Sequence, residues 1–113
     1  HKPYNRKAQE HFYYELSYFL RLALEITKKF RATDLTLKEL RQPLQLYLSN
    51  EKDFAHKILN FLERAELIKF AEKESSEEES LLAKSQVISW SLALKTKETE
   101  GSRYFDSLQK RDV

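Results

Sequence analysis

The chain has 113 residues, enough for one domain with a real core and little stability to spare. One glycine and two prolines leave little material for tight turns, so helices are the default, and 34% charged against 41% hydrophobic residues is a globular balance and not a disordered one. The lack of cysteine excludes disulfides, thiolate metal sites and cysteine nucleophiles together, and the net charge of +2 excludes a strongly one-signed surface overall.

In chain order, a basic lead over residues 1–7 comes first. From Ala8 to Arg31, Phe12, Leu16, Phe19, Ala23, Ile26 and Phe30 recur at spacings of four and three, which is one face of a long helix. Tyr13, Leu20 and Leu24 widen that stripe on one flank. Lys28, Lys29 and Arg31 fall in the last turn, where positive charge complements the helix dipole.

Thr36 and Glu39 then have capping-box spacing, with Leu35 and Leu40 placed for a hydrophobic staple, so a second helix starts near Leu37. Pro43 falls inside it and predicts a kink or break over residues 41–43, with Leu44, Tyr47 and Leu48 continuing the apolar side. Ser49 or Asn50 is the expected cap of a third helix with core face Phe54, Ile58, Phe61, Leu62 and Ala65.

The stretch LERAELIKFAEKE, residues 62–74, carries that helix into an apolar joint, Leu67, Ile68 and Phe70, expected to bury one or more of these side chains under the first helix. Ser75 with Glu78 and Ser76 with Glu79 again have capping-box spacing, which places Glu77, Glu78 and Glu79 in the first turn of a fourth helix. Ile88, Trp90, Leu92 and Leu94 alternate like a strand but also share a broad helical face, and the upstream caps favour helix to about Lys97. Gly101 is expected to break it, leaving residues 98–113 as a tail with one short helical turn. The predicted domain therefore spans 8–97. Its class is all-α with four main helices, for which a winged-helix-like arrangement without a functional wing is one packing.

The longest uncharged run, Ser85 to Leu94, is ten residues, well short of the ~18 apolar residues a membrane span needs. The basic start leads into an amphipathic helix and not into the apolar core of a signal peptide. The chain opens with His1 and has no methionine, as expected of an excerpt or processed product.

A winged helix raises the question of DNA. The would-be reading helix, residues 50–66, carries Lys52, Lys57 and Arg64 against Glu51, Asp53, Glu63 and Glu66, and the would-be wing carries Glu72, Glu74 and Glu77 to Glu79. Phosphate neutralisation, the main sequence-independent source of affinity, is missing there, so no specific nucleic acid partner is expected. Catalysis fares no better. His11 and Glu15 stand i, i+4 with no third metal ligand at helical spacing, and no serine elbow or phosphate-cradling loop is present. The reading is non-enzymatic, with no cofactor or metal.

One surface remains. At about 100° per residue, Tyr14, Tyr18 and Leu22 lie opposite Phe12, Leu16, Ala23 and Phe30, sharing their side with Glu15, Arg21, Glu25 and Lys29. Either the Leu81 to Leu94 helix covers them, with Trp90 as the candidate contact, or they form an aromatic stripe with a charged rim that docks a partner protein or a second copy of the domain.

Phe12, Tyr13, Leu16, Leu20, Arg21, Glu25 and Phe30 on the first helix, Thr36, Glu39 and Leu40, then Leu62, the run Ala65 to Ala71, and Ser76, Glu78 and Glu79 carry a family resemblance over about residues 10–95. It resembles the cytoplasmic C-terminal domains of membrane-anchored proteins encoded beside MoxR-type ATPases and von Willebrand factor A-domain proteins in the bacterial aerotolerance (Bat) operons. The resemblance implies a helical protein-interaction module at the cytoplasmic face of the inner membrane, tethered by an upstream segment. It acts there with operon partners in envelope maintenance and carries no catalytic residues. The alternative is a winged-helix DNA-binding regulator.

Overall fold

The structure, a computed structural model, describes residues 5–28 and 31–111, with side chains at 5–27 and 31–95. Lys29, Phe30 and the first four residues of the basic lead lie outside it. The chain is all-α: α1 (Arg6–Lys28), a short 3-10 helix (Ala32–Asp34), α2 (Leu37–Tyr47), α3 (Lys52–Lys69) and α4 (Glu77–Arg111). No strand occurs among the described residues, so the segment after α3 builds no wing.

Local chemistry sets most of the boundaries. Asn5 Oδ1 accepts from the backbone N–H of Lys7 at 2.8 Å and of Ala8 at 3.3 Å, so α1 starts two residues earlier than its apolar periodicity predicts and takes in part of the basic lead. Thr36 and Glu39 close the expected capping box, each side chain bonded to the other's backbone N–H. Pro43 sits within α2, which continues to Tyr47 unbroken: the ring removes one backbone donor, while Leu40, Leu44 and Leu48 remain buried on either side of it. Tyr47, expected on that apolar side, is half exposed.

Ser49 and Asn50 do not cap α3. They lie in the preceding turn, and Glu51 stands at the N-cap without a side-chain cap hydrogen bond. Ser76 does cap α4, accepting from Glu79 N at 3.0 Å, so the ambiguous Leu81 to Leu94 stretch is helix. Gly101 does not end α4, which runs to Arg111; a glycine inside a helix costs only about 1 kcal/mol relative to alanine, and its neighbours carry the helix past it.

α1 packs against both α3 and α4, and α2 lies on α3. The core contains Tyr13, Leu20 and Leu24 of α1, Leu40 and Leu44 of α2, Ile58, Leu62 and Ile68 of α3, and Val87 and Leu94 of α4. Each such side chain contributes roughly 1.5–3 kcal/mol by leaving water.

The core face of α1 is turned from the predicted one. Phe19 and Ile26 of the expected stripe are exposed, and the residues read as its flank, Tyr13, Leu20 and Leu24, form its centre together with Leu16. Both sets fit helical spacing. The selected one places Gln9 and Tyr13 beside the α3–α4 turn, where both bond to Ser75, and buries Ser17 next to them.

Candidate interaction surface

The joint after α3 holds this arrangement in register. Glu72 N donates to Leu67 O at 2.8 Å and Ala71 N to Ile68 O at 3.1 Å, the paired bonds of a Schellman cap. Ala71 occupies the left-handed position with φ of 61°, which costs a residue with a Cβ about 1–2 kcal/mol. The two cap bonds offset this, as does a third from Arg6 Nη2 to Ala71 O at 2.9 Å, which ties the start of α1 to the turn.

Of the predicted joint residues, Ile68 is buried and Leu67 half-buried, while Phe70 is 69% exposed. Burial in the joint thus falls to Ile68, and the exposure of Phe70 has a geometric cause. Phe70 is the C-cap, where the chain leaves the helix, two residues and so about 200° round from Ile68.

Beneath the joint lies a polar knot that sequence spacing does not disclose. Ser75 N donates to Gln9 Oε1 at 2.8 Å, Ser75 Oγ lies 2.8 Å from the Tyr13 hydroxyl and 3.1 Å from Ser80 Oγ, and all four residues are buried. Ser75 is therefore an internal strut, not the alternative cap of α4. Arg64 clamps the outside, bonding Glu79 through Nε at 2.8 Å and Nη2 at 2.9 Å and reaching Glu74 O at 3.1 Å. This bidentate pairing holds the Glu79 carboxyl below the usual carboxylate range and raises the Arg64 guanidinium above its ordinary value.

Tyr14 and Tyr18 stand on the outside of α1, 56% and 51% exposed, with Leu22 half-buried. α4 does not cover the two tyrosines. Trp90 turns instead to Phe61 of α3, with ring centroids 5.9 Å apart and planes at 70°. The Lys69 ammonium lies 5.5 Å from the centre of the Tyr14 ring and 5.8 Å from that of Phe70, so the exposed joint and the exposed tyrosines form one aromatic surface around a cation. Burial lowers the Lys69 pKa, opposed by Glu66 and reinforced by Arg21.

Arg21, expected on the charged rim, is not there. It is buried and donates to the carbonyls of Ala32, at 3.0 Å, and of Leu35, binding α1 to the turn before α2. Desolvation lowers its pKa, with Glu66 acting in the other direction. The signal for this lay in the spacing Ser17, Arg21, Leu24: a cation one turn from core leucines, beside a chain reversal with carbonyls to satisfy. Glu25 stays near the rim but accepts from Thr33 Oγ1 at 2.6 Å.

Beside this surface α1 and α4 border an open groove of about 310 Å³, lined by Phe19, Leu22, Ala23, Ile26, Thr27, Ser91 and Lys95. The α3 helix offers a different face. Seven of its residues, from Ala55 to Ile68, are buried, so one whole face of it is committed to the core. Two of the charged groups on its outer side are engaged within the chain, Glu63 by Arg41 and Arg64 by Glu79.

His11 and Glu15 form an exposed pair at 3.1 Å, and no group of three side chains suited to a metal ion occurs among the described residues. Among those residues no helix is long and apolar enough to cross a membrane. Fold and surface together define the class as an all-α domain with a polar-knotted joint and an exposed aromatic face. No protein-family model matches the chain, and no curated protein or solved structure matches it.

Proposed function

We propose that the chain is a non-enzymatic protein-protein interaction module that docks its partner on the outer face of α1. The observation that carries this reading is the exposure of Tyr14 and Tyr18 one helical turn apart, continued by Lys69 and Phe70. Tyrosines present large rigid contact area at small entropic cost, and a nearby cation supplies orientation, which is the composition of an interface hot spot. The resemblance carried by the α1 residues and the Ala65 to Ala71 run suggests the setting. It is the cytoplasmic side of an inner-membrane protein, tethered by a segment upstream of residue 1, with a MoxR-type ATPase or von Willebrand A-domain protein as partner.

The DNA-binding alternative draws less support, because α3 is committed to the core and Arg64 is neutralised by Glu79. A Tyr14→Ala, Tyr18→Ala double variant tests the proposal in co-purification with the proteins encoded in the same operon, whether or not these are a MoxR-type ATPase and a von Willebrand A-domain protein. Loss of the partner with the melting temperature retained is the expected result. Retention of the partner, or nanomolar binding of a defined DNA operator at ~150 mM salt, overturns it.

A further inference from the structure

We infer that the cleft where α2 turns into α3 is a binding site for a small apolar carboxylate, which lays its hydrocarbon body on an aliphatic floor and sets its anionic end between Lys52 and His56. The cleft holds about 320 Å³, the lower end of the range typical of small-molecule sites. Its floor is Leu48, Ala55 and Leu59, all three buried members of the core. Their side chains offer no hydrogen bond, so a ligand that reaches them must present carbon there.

The mouth has the opposite character. Gln45 and Ser49 border it from the end of α2 and the turn, and Lys52 and His56 from the first two turns of α3. All four side chains are exposed and can donate a hydrogen bond, and among the described residues none of the four is engaged by another group of the chain. Lys52 and His56 are the ionisable side chains of the lining, and no carboxylate lines it. Glu51 and Asp53, the neighbours of Lys52 in the chain, line a separate cleft toward Trp90, with Ser49 and Lys52 shared between the two. Glu63, further along α3, is taken by Arg41. Positions i and i+4 of a helix stand about 6 Å apart, so one carboxylate reaches both Lys52 and His56. A phosphate would satisfy this mouth and leave the floor bare, and a neutral hydrocarbon would do the reverse. A small monocarboxylate uses both.

The polar contacts are open to water, so affinity should be low, with a Kd of roughly 0.1–5 mM for a ligand of about ten non-hydrogen atoms. Lys52 lies at the other end of α3 from Lys69, about 25 Å along the helix, so the site stands or falls apart from docking of a partner protein on Tyr14 and Tyr18.

Titration of the 113-residue chain with phenylacetate, followed through its amide proton and nitrogen shifts, tests the site. Saturable shifts confined to residues 45–59 are expected, with binding about fivefold weaker for neutral phenylacetamide and for inorganic phosphate, and about fivefold to tenfold weaker for phenylacetate in a Lys52→Gln, His56→Gln double variant. Both substituted positions are exposed, so the free variant should keep the spectrum of the folded chain. The absence of saturable shifts through the millimolar range overturns the inference. So do shifts centred outside residues 45–59, phenylacetamide or phosphate binding as tightly as phenylacetate, or a double variant that binds like wild type.

Discussion

Tyr13 and Tyr14 are neighbours in the chain and opposites in the fold. Tyr13 is 1% exposed, stacked near Phe61 and hydrogen-bonded to Ser75, whereas Tyr14 is 56% exposed with Lys69 over its ring. The same contrast runs along the helix, with Leu20 fully buried while Phe19 on one side of it and Leu22 on the other border a groove open to solvent. α1 thus carries two apolar surfaces built from the same residue types. One is used up inside the domain and the other is open to solvent. The difference between them is polar: on the inner face Gln9 and Tyr13 bond to Ser75 and Arg21 satisfies the carbonyls of the turn before α2, and among the described residues the outer face has no comparable network.

That comparison can be broken at its strongest point. Leu20→Ala should cost about 3 kcal/mol in urea unfolding, because the cavity it leaves has no route to collapse among packed neighbours. Leu22→Ala, two residues on, should cost less than about 1 kcal/mol. Equal losses would mean that both faces are core.

Arg21→Ala comes next, at about 2 kcal/mol, since it strips donors from the carbonyls of Ala32 and Leu35. An unchanged urea midpoint would return Arg21 to the exposed rim that its position opposite the apolar stripe predicts.

The Arg64–Glu79 clamp lies near the inner face and is partly exposed, so Glu79→Gln should cost only about 0.5–1 kcal/mol at neutral pH. The sign with pH follows from the lowered Glu79 pKa. Its contribution is present above the unfolded-state value of about 4.3 and is lost as pH falls through the still lower folded value. Stability measured against pH should therefore show wild type and variant separated near neutrality and converging in acid. A gap that widens in acid would exclude the clamp as its cause.

The smallest effect belongs to Phe70→Ala, within about 0.5 kcal/mol of wild type, because its ring is already in water. A thermal melt lowered as for a core phenylalanine would place Phe70 inside and remove it from the aromatic surface.

Caps and periodicity were legible in the residues. The Thr36–Glu39 box, the Ser76 cap and the helical character of the Leu81 to Leu94 stretch follow from hydrogen-bonding groups within four positions of one another, and local chemistry suffices for these. What proved illegible depended on residues far apart. Ser75 is bonded to Gln9 and Tyr13, more than sixty positions away, and nothing in its own neighbourhood distinguishes it from a helix cap. The same holds for Phe70 and Ile68, which are both apolar and two residues apart, until the Schellman turn directs one inward and the other out.

By itself, then, the sequence determined four helices, the starts of α2 and α4, and the fact that α1 is apolar over more than one face. Periodicity measures the angle between side chains on a helix; it does not say in which direction the rest of the molecule lies. Only the tertiary structure chose Tyr13, Leu20 and Leu24 over Phe19 and Ile26 as the core of α1, because only there do the polar atoms of Gln9, Tyr13 and Arg21 find their partners on the α3–α4 joint and the turn before α2. The tyrosines and the groove are left exposed by that same choice.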